Sequence, residues 1–168
     1  PENPVEMTWQ QKFTQDPTGN TLSVIVLVGI IGSALFTAFR FQQRKTAEDT
    51  GGKWQLLIPI LCVIGFGVAG YLAYVETTQV KAVCGPVGDC NTVQQSEYAR
   101  LFGILPIGVM GLAGYVAIMV AWLTARYTKG KYVDLANLSM FGMAAFGVLF
   151  SIYLTFLEPF VIGATCAW

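Results

Sequence analysis

The chain is 168 residues long, 54% hydrophobic and 12% charged, with ten Lys and Arg balancing ten Asp and Glu and no histidine. Soluble domains carry about 25% charged residues, so this composition is that of a membrane protein, and its zero net charge gives no bulk attraction to nucleic acid. The missing histidine excludes His-ligated haem or chlorophyll, His-bound zinc and a His general base, which leaves cysteine as the most reactive side chain.

Residues 1–20 are polar, lack the basic start of a signal peptide, and are expected to form an exposed arm that ends in a turn at Pro17-Thr18-Gly19-Asn20. Four apolar runs follow, at 21–39, 56–75, 104–125 and 135–157. Each is close to the roughly 20 residues that cross about 30 Å of hydrocarbon. No charge interrupts their interiors, and backbone groups in lipid must pair within the segment, so each run predicts a transmembrane helix. The fold class is therefore an all-α integral membrane protein, a multi-span helical bundle. Small residues repeat at Gly65, Ala69 and Ala73, again at Gly108, Gly111 and Gly114, and at Gly142, Ala145 and Gly147. They predict close helix packing, in preference to a ligand cavity lined by the neighbouring Met and aromatic side chains. Pro159 is expected to stop the last complete helix, with a further apolar helix starting near Cys166. The first residue is Pro1 rather than methionine, and the chain is expected to be a fragment.

Seven of the ten cations lie in the connections 40–55 (Arg40, Arg44, Lys45, Lys53) and 126–134 (Arg126, Lys129, Lys131). The positive-inside rule puts these connections in the cytoplasm and the N-terminal arm, the 76–103 connection and Cys166 on the outer face. Trp54, Trp122 and Tyr127 fall near the cytoplasmic helix ends, as an aromatic belt would. Outside the cytoplasm disulfides persist.

Of the four cysteines, Cys62 lies inside an apolar run and is expected to pack as a small apolar side chain without a function. Cys84 and Cys90 bracket Gly85-Pro86-Val87-Gly88-Asp89, whose turn formers bring the pair within disulfide range. So short a loop gains little stability from a bridge, which favours thiol–disulfide exchange over a staple, with the pair exposed to an incoming thiolate. Two cysteines make an incomplete metal site, and no metal is expected. Cys166, at the membrane edge on the same face, is either an isolated thiol or a reactive one activated at a helix start, and its spacing favours neither.

From "YLAYVET" through the C-x5-C loop "CGPVGDC" to "SEYARLFGILP", and on to a later membrane-edge cysteine, residues 56–168 resemble the bacterial homologues of vitamin K epoxide reductase. Ser96 and Tyr98, then Gly103, Ile104 and Pro106, carry the most specific part of the resemblance. The sequence departs from the pattern in Leu105, which looks inserted, in Tyr98 where tryptophan is usual, and in the additional helix at 21–39. The organisation implied is an arm at 1–20, an extra helix at 21–39, a cytoplasmic linker at 40–55 and the family's helical bundle at 56–168.

The resemblance implies a quinone-linked enzyme, with ubiquinone or menaquinone as electron acceptor. Cys166 stands as the first cysteine of an active-site C-x-x-C whose second member is expected just beyond Trp168. Cys84 and Cys90 are implied as a shuttle pair that passes disulfides to a thioredoxin-like partner, with Ser96 and Tyr98 in support and a bacterial inner-membrane location. The DsbB type of enzyme uses similar logic, but with a C-x-x-C in its first outer loop, which C-x5-C does not match. The alternative from another class is a structural or accessory subunit of a larger membrane complex with inactive redox chemistry. A cysteine following Trp168 favours the enzyme, and a stop codon the subunit.

Overall fold

A computed structural model describes residues 7–43, 56–84, 88–101 and 103–166. The linker residues 44–55 with Trp54, the loop tip 85–87 and residues 167–168 lie outside the described residues. Among the described residues, four helices are long and apolar enough to span a membrane: Pro17–Arg40, Leu57–Thr78, Ile107–Tyr127 and Lys131–Ile162. With a short first helix, α1 (Trp9–Phe13), they are α2 (Pro17–Gln43), α3 (Leu57–Thr78), α5 (Ile107–Tyr127) and α6 (Lys131–Leu157). Between α3 and α5 lies the short α4 (Cys90–Gln95). The protein is an all-α multi-span membrane protein. Large apolar side chains such as Leu35, Val63, Leu138 and Leu149 point outward along the spans, where lipid solvates them.

Two expectations for the N-terminal arm are corrected. The turn placed at 17–20 is instead the first turn of α2. Pro17 stands where a helix has no use for its N–H, and Asp16 caps the turn by accepting the Gly19 N–H at 3.0 Å on its side chain and the Asn20 N–H at 2.9 Å on its carbonyl. The arm's exposure also holds only in part, because α1 docks on the end of α6. Lys12 Nζ donates to the Val161 carbonyl at 2.7 Å, and the Phe13 and Phe160 rings lie 6.4 Å apart.

The helices contact one another in the order α2, α6, α5, α3. The small residues of α3 and α5 pack as their spacing predicts except Gly114, which has no atom within 4 Å of its Cβ position and lines the groove between α5 and α6. A Cβ on Gly108 would collide with the backbone nitrogen of Ala73 and lie 2.9 Å from its Cα, and one on Gly111 would lie 3.3 Å from Ala69 Cβ. In contrast, Gly142 and Gly147 face open space, and a groove of about 530 Å³ runs between α5 and α6 past Met110, Tyr115, Met143 and Phe146. Tight packing is thus realised on the α3–α5 face, whereas Met and aromatic side chains line an apolar groove on the other.

Because the spans alternate in direction, the ends of α3 and α6 and the starts of α2 and α5 share one end of the bundle. Arg40, Arg126, Lys129 and Lys131 share the opposite end. Pro159 does end the regular part of α6, but the chain continues as a single π turn, Glu158–Ile162. That turn closes with Gly163 N–H donating to the Glu158 carbonyl at 2.7 Å. Gly163 has φ +83°, and a Cβ there would sit 2.9 Å from the Lys12 carbonyl, so both conformation and space call for glycine.

Gly108→Ala is expected to lower stability by about 1–3 kcal/mol through overpacking. Gly114→Ala, on the same helix with no atom within 4 Å of its Cβ position, is the neutral control. Unfolding in detergent micelles measures both.

Candidate functional site

At the end of α3, Gln79 takes a left-handed conformation that stops the helix (φ 55°), and the chain runs on without regular structure through Cys84. Asp89 then starts α4 by accepting the Thr92 N–H at 3.2 Å and its hydroxyl at 2.6 Å. These two bonds, the hydroxyl's first, hold the Asp89 carboxyl below its usual range. After Ser96 and a 3₁₀ turn, strands β1 (Arg100–Leu101) and β2 (Leu105–Pro106) form a small antiparallel hairpin around Gly103 at φ +73°, which delivers the chain to α5. Leu105, the apparent insertion, pairs with Leu101 in this hairpin.

This route gathers three cysteines. Val75, Ala82 and Cys90 form a buried cluster, and Tyr71, Cys84 and Cys166 pack against it. The irregular segment before α4 is pinned from both sides. Asn91 Oδ1 accepts from Ala82 N at 2.8 Å, Tyr71 Oη accepts from Val83 N at 2.7 Å, and Asn91 Nδ2 reaches Cys84 Sγ at 3.8 Å. Gly88, at φ +89°, sits so close to the Thr165 carbonyl that any Cβ would collide with it, so the cysteine loop and the Cys166 segment touch backbone to side. Cys62 is buried within α3, away from this cluster, as expected.

The expectation of an exposed loop pair is corrected. Cys90 has 0% of its surface exposed because it faces Val75 and Ala82, while Cys84 is half-buried and is the member of the pair open to a visitor. Cys62, Cys84 and Cys90 are free thiols in this structure. Burial, and after it the hydrogen bond with the Cys90 thiol, push the Cys84 thiol up from its ordinary value, partly opposed by the N–H groups of Cys90 and Asn91. The reduced Cys84 is therefore mainly protonated at neutral pH. Cys166 is the last described residue and is not helical, so a helix starting there falls outside the described residues.

Beside Cys166 a small cavity of about 100 Å³ opens between Leu72, Glu76, Gln94, Tyr98 and Glu158. Glu76 Oε2 accepts the Gly108 N–H at 2.8 Å and so caps α5 from the neighbouring helix. Glu158 accepts from the Ser23 hydroxyl and from the Cys166 N–H. Both polar side-chain atoms of Gln94 are buried and have no hydrogen-bond partner among the described residues, a donor and an acceptor left available to a ligand. Ser96 bonds back to the Val93 carbonyl at 2.6 Å, and Tyr98 is exposed; both line this cavity and a larger cleft of about 780 Å³ outside it. The small cavity and the α5–α6 groove share Ile107 and Leu154 as walls. Apolar walls with a few polar groups suit a flat, largely apolar ring that carries a carbonyl, with the Gln94 amide offering a donor to it.

Sequence reasoning missed Glu76, Glu158, Gln94, Asn20 and Ser23. The carboxylates had a readable signal, since each is a lone charge closing an apolar run. The uncharged polar residues had none.

Comparison with known proteins bears on the same residues. The model of the vitamin K epoxide reductase family matches residues 56–168, and the chain belongs to that family. It is a membrane thiol–disulfide oxidoreductase. No curated protein and no solved structure matches it.

Since the Cys84 thiol is raised, its thiolate fraction at neutral pH is lowered. Its alkylation rate is expected to climb with pH to a half-maximum above the value of about 8.5 for a free thiol. Peptide mass spectrometry of the reduced protein after timed iodoacetamide treatment measures this, and a half-maximum below about 7 would contradict the geometry described.

Proposed function

We propose that the protein oxidises thiols with a membrane quinone as electron acceptor and hands the disulfide, through Cys84 and Cys90, to a thioredoxin-like carrier on the outer face of a bacterial inner membrane. The convergence of Cys84, Cys90 and Cys166 on one apolar cluster carries this reading. An incoming carrier thiolate attacks Cys84, the accessible member of the oxidised loop pair, and Cys90 leaves as thiolate. The carrier's second thiol resolves the mixed disulfide, leaving the carrier oxidised and the loop pair reduced. The loop dithiol is reoxidised by exchange with a disulfide that Cys166 forms with a second thiol, and that exchange returns Cys166 and its mate as a dithiol. A bound quinone supplies the acceptor for the two electrons and two protons that the resulting dithiol releases. Glu158 and Glu76 line the cavity beside Cys166 and offer carboxylates for holding those protons.

The outer-face assignment rests on the seven cations of 40–55 and 126–134, of which Arg40, Arg126, Lys129 and Lys131 lie at the far end of the bundle from the cysteines. An impermeant maleimide applied to intact cells is expected to label Thr78→Cys and to spare Thr128→Cys. The reverse pattern refutes the orientation.

The activity is tested with the protein expressed from its native coding sequence in membranes. Cys166→Ala is expected to abolish quinone reduction. Cys84→Ala and Cys90→Ala are expected to block oxidation of the carrier while sparing small thiols. If the unaltered protein neither reduces a quinone nor oxidises thiols, the accessory-subunit reading replaces this one.

A further inference from the structure

Helix α2 lies outside the matched residues 56–168, and the proposed chemistry leaves it without a task. Its first two turns nevertheless carry two buried polar side chains, Asn20 with 0% and Ser23 with 3% of their surface exposed. Both face the segment that bears Cys166. Asn20 Nδ2 donates to the carbonyls of Phe13 at 3.0 Å and Gly163 at 3.3 Å, and Asn20 Oδ1 accepts from the Thr165 hydroxyl at 3.1 Å. The same hydroxyl lies 3.4 Å from Ser23 Oγ, and Ser23 donates to the Glu158 carboxylate that accepts the Cys166 N–H.

Residues 164–166 have no regular secondary structure to fix them. Their backbone and hydroxyl groups are held from α2, directly or through Glu158. Buried amides and hydroxyls keep a fixed place only while these bonds are made. On the other side, the Thr165 carbonyl abuts Gly88 of the cysteine loop. The segment is thus clamped between α2 and the loop.

We propose that Asn20 and Ser23 are positioning residues for Cys166, and that the N-terminal helix is a working part of the redox site rather than an anchor beside it. The inference rests on the thiol–disulfide reading for its consequence in turnover, but its geometric content stands apart from activity. Thiol exchange needs an aligned approach of sulfur to disulfide, and small misplacements of reacting groups cost large factors in rate.

The experiment uses the natively encoded protein in detergent and compares Asn20→Ala, Ser23→Ala and Ser23→Thr with Ser33→Ala, an exposed hydroxyl that bonds only within α2. Per-residue alkylation by N-ethylmaleimide is followed by mass spectrometry, alongside kcat and KM for quinone-linked thiol oxidation. Asn20→Ala and Ser23→Ala are expected to raise Cys166 alkylation about tenfold and to lower kcat by a similar factor, with KM for the thiol substrate and Cys84 alkylation within about twofold of the unaltered protein. Ser23→Thr, which keeps the hydroxyl, and Ser33→Ala are expected to behave as the unaltered protein. Unchanged Cys166 alkylation in both alanine variants overturns the proposal, whatever the activity. Absence of activity in the unaltered protein refutes the oxidoreductase reading instead, and the alkylation contrast still decides the positioning role. If Asn20→Ala fails to fold by gel filtration, the Ser23 pair decides: a rise in Ala but not in Thr supports the proposal, and equal behaviour overturns it.

Discussion

Asn20 is an amide with no exposed surface at the end of a membrane helix, where leaving its hydrogen bonds unmade costs about 1–3 kcal/mol for each buried group. Its partners come from residues 12, 13, 163 and 165, so the start of α2 and the chain after α6 meet at one point. The rest of the site end follows from that meeting. With the Thr165 carbonyl fixed, only glycine fits at position 88, and Gly88 draws the loop of Cys84 and Cys90 against the segment of Cys166. At the same end of the bundle, Glu76 ties the end of α3 to the start of α5 through the Gly108 N–H. Four helix ends are joined by polar bonds where the spans give way to water on this side of the bundle.

The fold was largely legible in sequence because lipid leaves few options: apolar runs of spanning length must be helices, and Gly108 and Gly111 had to face small residues on α3. What escaped was local and polar. Pro17 reads equally well as a turn former or as the first residue of a helix, and only the Asp16 cap decides between them. The π turn at Glu158–Ile162 was hidden because Pro159 signals a helix stop without saying how the backbone recovers. In the site, cysteine spacing pointed to Cys84, Cys90 and Cys166, while the burial of Cys90 depends on Val75 and Ala82, contacts that spacing does not encode. Asn20 and Ser23 sit among ordinary polar residues, and only their long-range partners, more than 130 positions away, distinguish them.

The asymmetry of the loop pair has a chemical consequence. Cys84 is reachable but mostly protonated when reduced, and Cys90 is sealed among apolar side chains. A pair arranged this way resists casual oxidation and alkylation at its buried member and meets solution thiols at one sulfur only. Lipid-facing apolar surface surrounds the remainder of the bundle, so the polar end of the molecule is the surface on which the proposed soluble carrier would meet these cysteines.

The central claim is that Cys84, Cys90 and Cys166 form one reactive unit from which Cys62 is separated. Stoichiometric oxidation of the reduced protein, followed by peptide mapping without reduction, tests it most directly. The account predicts disulfide-linked peptides joining Cys84 with Cys90 and joining a loop cysteine with Cys166, and none containing Cys62. A bridge to Cys62, or a Cys166 that never links to either loop cysteine under any degree of oxidation, would contradict it.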